Sequence, residues 1–134
     1  MKARLRKVLF ACALDATAAA GCGSNSYFTD ASTAEVGVPC PYGGTPVASN
    51  AVTARDFSFS PACIVISAGT TVTWTNAGMQ THTVTTEPNA PLRFDSGSLG
   101  FRGTFSFTFT SPGTINYMSL PFQVLGMQAT VIVR

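Results

Sequence analysis

One histidine, His82, is the only imidazole in the 134-residue chain. The other soft donors are Met79, Met118 and Met127 beyond the initiator, and the cysteines Cys12, Cys22, Cys40 and Cys63. Imidazole and thioether together are the vocabulary of copper chemistry: thioethers favour soft monovalent ions, imidazole the divalent ones. Other chemistries fare worse. There is no phosphate-cradling loop and no pair of carboxylates placed for acid–base work. No Ser-His-Asp set can be placed for nucleophilic catalysis. The reading is therefore of a protein that is not an enzyme.

The cysteines divide by position. Lys2, Arg4, Arg6 and Lys7 precede a short apolar run, Val8 to Leu14, and then the small residues Ala18 to Gly21. That order is the order of a signal peptide over residues 1–21. The run is too short to span a bilayer, which takes roughly 20 apolar residues. Two cleavage readings compete: Ala18-x-Ala20 suits ordinary signal peptidase, and Ala19-Ala20-Gly21-Cys22 is similar to a bacterial lipoprotein box with Cys22 as the lipidated first residue. Either exports the chain, to a periplasm or cell surface. Cys12 leaves with the leader, and Cys22 is the lipidation candidate. Cys40 and Cys63 remain in an oxidising compartment and are expected to pair. The alternative is a metal role for Cys63, around which nothing metal-like gathers.

The elements that must hold His82 and the methionines follow a period of two. Residues 22–50 are rich in Gly, Ser, Asn, Ala, Thr and Pro, and read as a tether and irregular lead-in. From 51 to 134 the pattern is that of short strands. Phe57 and Phe59 alternate with serines, Val72 and Trp74 with threonines, and Phe105, Phe107 and Phe109 with Ser106 and Thr108. Cys63–Ile66, Thr81–Thr86, Ile115 with Tyr117, and Thr130–Val133 complete the set. No stretch has a helical period. Seven to eight short strands separated by turn residues specify an all-β, Greek-key sandwich or barrel, and the three alternating phenylalanines are expected in its core.

Charge excludes one class of partner. Residues 1–21 hold four basic residues against one acid, a net of +3, whereas the remainder holds four Arg against five acids, a net of −1, and no Lys. The basic balance belongs to the leader, so no nucleic-acid footprint exists, and a membrane is met only through a lipid anchor.

The ordered set Phe59-x-Pro61, Ala68 to Asn76, His82-Thr83-Val84, Phe94 to Gly97, Phe105-x-Phe107-x-Phe109, Pro112-Gly113-Thr114 and Gly126-Met127 resembles the plastocyanin-like cupredoxins, blue copper domains that act in electron transfer. The resemblance implies one copper held by two His, one Cys thiolate and a weak axial Met, the last three on one loop spaced C-x2-H-x4-M. His82 matches the first His and Met127 the axial Met. Counting back from Met127 without a gap puts Ser119 at the Cys position and Phe122 at the second His position. A rival register puts Met118 at the Cys position, at the cost of a one-residue gap and a flipped face. Neither register restores a thiolate.

Three readings follow from that loss. One is a metal-free binding module, with a protein partner docking at the apolar loop end carried by Pro121, Phe122, Val124 and Leu125, with Met79 as a further candidate. There Phe122 either enlarges the patch or turns inward to fill the copper position. The second is a Cu(I)- or Ag(I)-handling protein using His82, Met127 and an extra thioether from Met79 or Met118. The third is electron transfer with copper, as the family performs it.

Overall fold

The structure is a computed structural model that describes residues 40–134; the leader, Cys12, Cys22 and most of the tether lie outside the described residues. Among the described residues nine strands form two sheets. Strands β1 (Val47–Ala48), β4 (Cys63–Ile66), β6 (Thr85–Thr86), β8 (Gly113–Met118) and β9 (Gln128–Val133) make a five-stranded sheet in the order β1-β4-β9-β8-β6. Strands β2 (Ala51–Arg55), β3 (Ser58–Ser60), β5 (Thr70–Asn76) and β7 (Thr104–Phe109) make a four-stranded sheet in the order β3-β2-β5-β7. The arrangement is a sandwich and not a closed barrel, in accord with the all-β expectation. No helix among the described residues is long and apolar enough to cross a membrane.

Alternation places the core. In β5, Val72, Trp74 and Asn76 are buried, while Thr71 and Thr73 face outward and join hydroxyls with Thr108 and Ser106 across the β5–β7 ladder at 2.7 and 2.8 Å. Such cross-strand polar pairs tie the solvent face of a sheet whose other face is apolar. Trp74 is the hub: Phe94, Phe105, Phe109 and Tyr117 all lie with ring centroids 5.5–6.3 Å from it. Burial pushes the Tyr117 hydroxyl well above its ordinary value, and the neighbouring indole works against that rise. Neither the hydroxyl nor Trp74 Nε1 has a partner at full hydrogen-bond geometry.

Three expectations change in detail. The ladder begins at Val47, so part of the expected lead-in is a strand: β1 pairs in parallel with β4, ahead of the boundary at 51. Phe57 is not in a strand. It sits in the β2–β3 turn with φ +70° and is exposed, because the left-handed turn breaks the alternation that buries Phe59. Phe105 and Phe107 are only partly buried, because β7 is an edge strand. The expected Cys40–Cys63 disulfide is formed, and it pins the start of the described chain to the first residue of β4.

Candidate functional site

Four connections meet at one end of the sandwich. They are the Asp56-Phe57 turn after β2, residues 77–82 after β5, residues 99–103 ahead of β7, and residues 119–127 between β8 and β9. Asn76, at the buried end of β5, fastens two of them, 77–82 and 99–103. Its Nδ2 donates to the Gln80 and Leu99 carbonyls, both at 2.8 Å, and its Oδ1 accepts the Gly78 N–H at 2.8 Å. His82 and Leu99 exchange backbone hydrogen bonds in both directions, which fixes the height of His82 in this end. Thr81–Thr86, expected as a strand, is regular only at Thr85–Thr86; His82 is held by that isolated bridge instead.

The 119–127 connection carries a six-residue 3-10 helix, Leu120–Leu125, which no periodicity announced. Pro121 starts it, and Gly126 at φ +80° ends it, a conformation that favours glycine. The Ser119 N–H donates to the Met127 carbonyl at 3.0 Å and the Phe122 N–H to the Ser119 carbonyl at 2.9 Å. Thr83 and this connection then clamp each other: Thr83 N–H donates to Ser119 Oγ at 3.2 Å, and Leu120 N–H donates to Thr83 Oγ1 at 2.9 Å.

Inside the clamp lies His82, with no exposed surface. Its Nδ1 is 3.4 Å from Ser119 Oγ. Its ring lies 5.1 Å from that of Phe122, and Phe122 in turn meets Phe57 edge-on at 5.1 Å. On the opposite side of the imidazole, Nε2 is 3.6 Å from Asp56 Oδ1. The structure therefore brings together three of the four positions read from the sequence, His82, Ser119 and Phe122, and stacks the backbone of the fourth, Met127, on Ser119. Met127 is buried in the core cluster. Met118 pairs with Thr85 and stands apart from the cluster that holds Ile115 and Tyr117, and Met79 is 77% exposed. Phe122 is half-buried, so it both covers the imidazole and reaches the surface.

Pro121, Val124 and Leu125 are exposed. Two members escaped the sequence reading. Asp56 was counted only as a charge and Phe57 was assigned to a strand. The signal available was an acid–aromatic pair interrupting two runs of alternation, which marks a turn. Among the described residues no three His, Cys, Asp or Glu side chains gather.

A two-sheet sandwich with a histidine sealed at one end beside a methionine-closed loop is the plan of a cupredoxin. The chain belongs to the plastocyanin/azurin family of copper-binding proteins, whose sequence profile matches residues 47–134. Halocyanin of Natronomonas pharaonis is 39% identical over 80 residues, a match covering 58% of this chain; the chain spans only about half of halocyanin, 49% of its length. Plastocyanin of Scenedesmus fuscus is 32% identical over 84 residues, covering 57% of this chain and 86% of that one. Among solved structures, a purple cupredoxin from Nitrosopumilus maritimus superposes with a TM-score of 0.56 at 24% identity, over 64% of this chain and all of that one. An amicyanin variant superposes with a TM-score of 0.58 at 21% identity, over 72% and 97%. These structural likenesses speak for the fold.

Proposed function

We propose that this chain is an exported, non-blue member of its family, which assembles no blue copper centre and acts as a protein-binding module through its apolar loop end. The observation that carries the reading is the sealed contact between His82 Nδ1 and Ser119 Oγ, roofed by the Phe122 ring. A blue copper site takes two imidazoles, a thiolate and a weak axial thioether. The chain has one histidine, and its two described cysteines are joined to each other. A serine hydroxyl is not ionised at neutral pH, and a phenyl ring has no lone pair. These residues do not fit the family's metal, and no electron-transfer step is derived through it.

The surface supports the second half of the reading. Seven large apolar side chains are exposed among the described residues, and six of them, Phe57, Met79, Phe101, Leu120, Val124 and Leu125, sit on the four connections around His82. Concentrated exposed apolar surface marks a partner site. Hydrolysis has no place in the proposal: Asp56, His82 and Ser119 do form a row, but Ser119 is wholly buried and its Oγ already accepts the Thr83 N–H.

Adding Cu(II) and Cu(I) separately to the purified chain, with bound metal and visible absorption as readouts, tests the metal half. The expected result is no intense charge-transfer band, and a gain of colour in Ser119→Cys/Phe122→His. An intense band from the unmodified chain overturns the reading. Tight Cu(I) binding lost in Met127→Ala replaces it with the soft-metal alternative, which draws support from the burial of Met127. A photo-crosslinking residue at Val124 is expected to capture a protein partner in the native envelope, and the same residue at Val47 is not.

A further inference from the structure

Two sheets have four edges, and among the described residues three of the four edge strands are short. β1 and β6 are two residues long and β3 is three. The fourth, β7, runs for six residues, Thr104–Phe109, in unbroken register with β5. It carries no charged residue, no proline and no bulge, the devices that ordinarily keep an edge from pairing with another chain.

The outer groups of β7 are open. Asn76 N–H donates to the Gly103 carbonyl at 2.8 Å, and Gly69 N–H to the Phe109 carbonyl at 2.6 Å. Antiparallel pairing alternates, so Phe105 and Phe107 also turn their backbone groups to β5, and Thr104, Ser106 and Thr108 turn theirs away. No backbone bond from any other described connection reaches those three residues, and their side chains are exposed. On the inner side of the same edge, Phe105 and Phe107 stay only partly buried.

We propose that β7 pairs antiparallel with β7 of a second copy of this chain, about a two-fold axis at Ser106, joining two four-stranded sheets into one of eight strands.

The occupant follows from the symmetry of the strand. Thr104-Phe105-Ser106-Phe107-Thr108 reads the same in both directions. Paired about Ser106, Thr104 lies opposite the partner's Thr108, and Phe105 opposite the partner's Phe107. The three outward residues then meet outward residues. Each such pair exchanges two N–H···O bonds, so the three pairs make about six. The phenylalanines fall at the intervening positions, where opposed side chains stand closest, and each covers a flank that the edge leaves open. No like charges meet, because Arg102, the nearest cation along the chain, lies outside the strand. With no charge on β7 to select a foreign strand, the selectivity of this edge lies in its own palindrome. A two-fold contact of this kind closes on itself and stops at a dimer. The surface is distinct from the loop end around His82, and neither reading rests on the other.

Sedimentation equilibrium of the purified chain, from micromolar to millimolar, tests the pairing. The molar mass is expected to climb from one copy toward two and to stop there. Ser106→Lys sets two like charges directly opposite each other at the axis, and is expected to weaken association at least about fivefold. Val47→Lys, on the β1 edge, is expected to leave it unchanged. A chain that stays monomeric throughout overturns the proposal. So does a mass that climbs past two copies, a Ser106→Lys chain that associates like the original, or an equal loss in Val47→Lys. Should Ser106→Lys fail to fold, amide hydrogen exchange in the unmodified chain decides. The N–H groups of Thr104, Ser106 and Thr108 are expected to exchange more slowly as protein concentration rises, while those of Phe105 and Phe107, already bonded to β5, hold constant. Concentration-independent exchange at the three outward amides overturns the proposal.

Discussion

The two ends of the sandwich obey different rules. At the far end, the turns 49–50, 67–69 and 110–112 are built from Ser, Asn, Ala, Gly, Thr and Pro, and none of the exposed large apolar side chains lies there. Those turns spend their polar groups locally: Ala68 N–H donates to the Arg134 carbonyl at 2.7 Å, and Thr70 N–H to the Ser67 carbonyl at 3.1 Å. At the His82 end, the connections hold their polar groups inward, on Asn76, Thr83 and Ser119, and show apolar side chains to solvent. A surface connection ordinarily does the reverse. Both ends share one core, so the difference lies in their surfaces and not in what holds the domain together.

Three variants break or sharpen that contrast. The largest effect is expected at the hub beneath both ends. Trp74→Ala is expected to cost about 3–5 kcal/mol, as truncation of a buried large aromatic does, seen as a lower urea midpoint for the whole domain. An unfolding transition confined to one end would show that the ends do not share a core. Next comes Ser119→Ala, which orphans the buried Thr83 N–H. A loss of about 1–3 kcal/mol is expected, against no more than about 0.5 kcal/mol for an exposed far-end change such as Thr110→Ala. Equal costs would show that the Ser119 clamp is incidental. The smallest stability effect belongs to Val124→Ser with Leu125→Ser, within about 0.5 kcal/mol because both side chains are exposed. Its readout is retention on a hydrophobic-interaction column, which is expected to fall. Unchanged retention would show that the loop end is not the dominant apolar surface.

Much of this contrast could be read before any coordinates. Alternation placed Val72, Trp74 and Phe109 inside because period two is a direct image of the two faces of a sheet. The approach of His82 to Ser119 was legible through the family resemblance and the parity of Ile115, Tyr117 and Ser119. Asp56 was not. It meets His82 across a gap of 26 positions, through a β2–β5 pairing that no periodicity encodes. Phe57 misled because a single left-handed residue ends the alternation without a glycine to announce it. The Leu120–Leu125 helix is six residues long, two turns of a 3-10 helix, too short to leave a helical period in the sequence. Phe105 and Phe107 show the limit of alternation itself, which gives the face of a strand but not whether the strand lies at an edge.

The parallel pairings have a consequence in time. β4 lies between β1 and β9, and β9 is more than 60 positions further along the chain: Cys63 pairs with Thr130 and Ile66 with Val133. Likewise β2 has β5 as a parallel neighbour about 20 positions on. β4 cannot zip onto β9 as it emerges, because β9 does not yet exist. Loops must close before any ladder repays them, and topologies of this kind fold on the order of milliseconds to seconds. During synthesis the five-stranded sheet therefore waits for β9, and the central strand arrives after nearly everything it will hold.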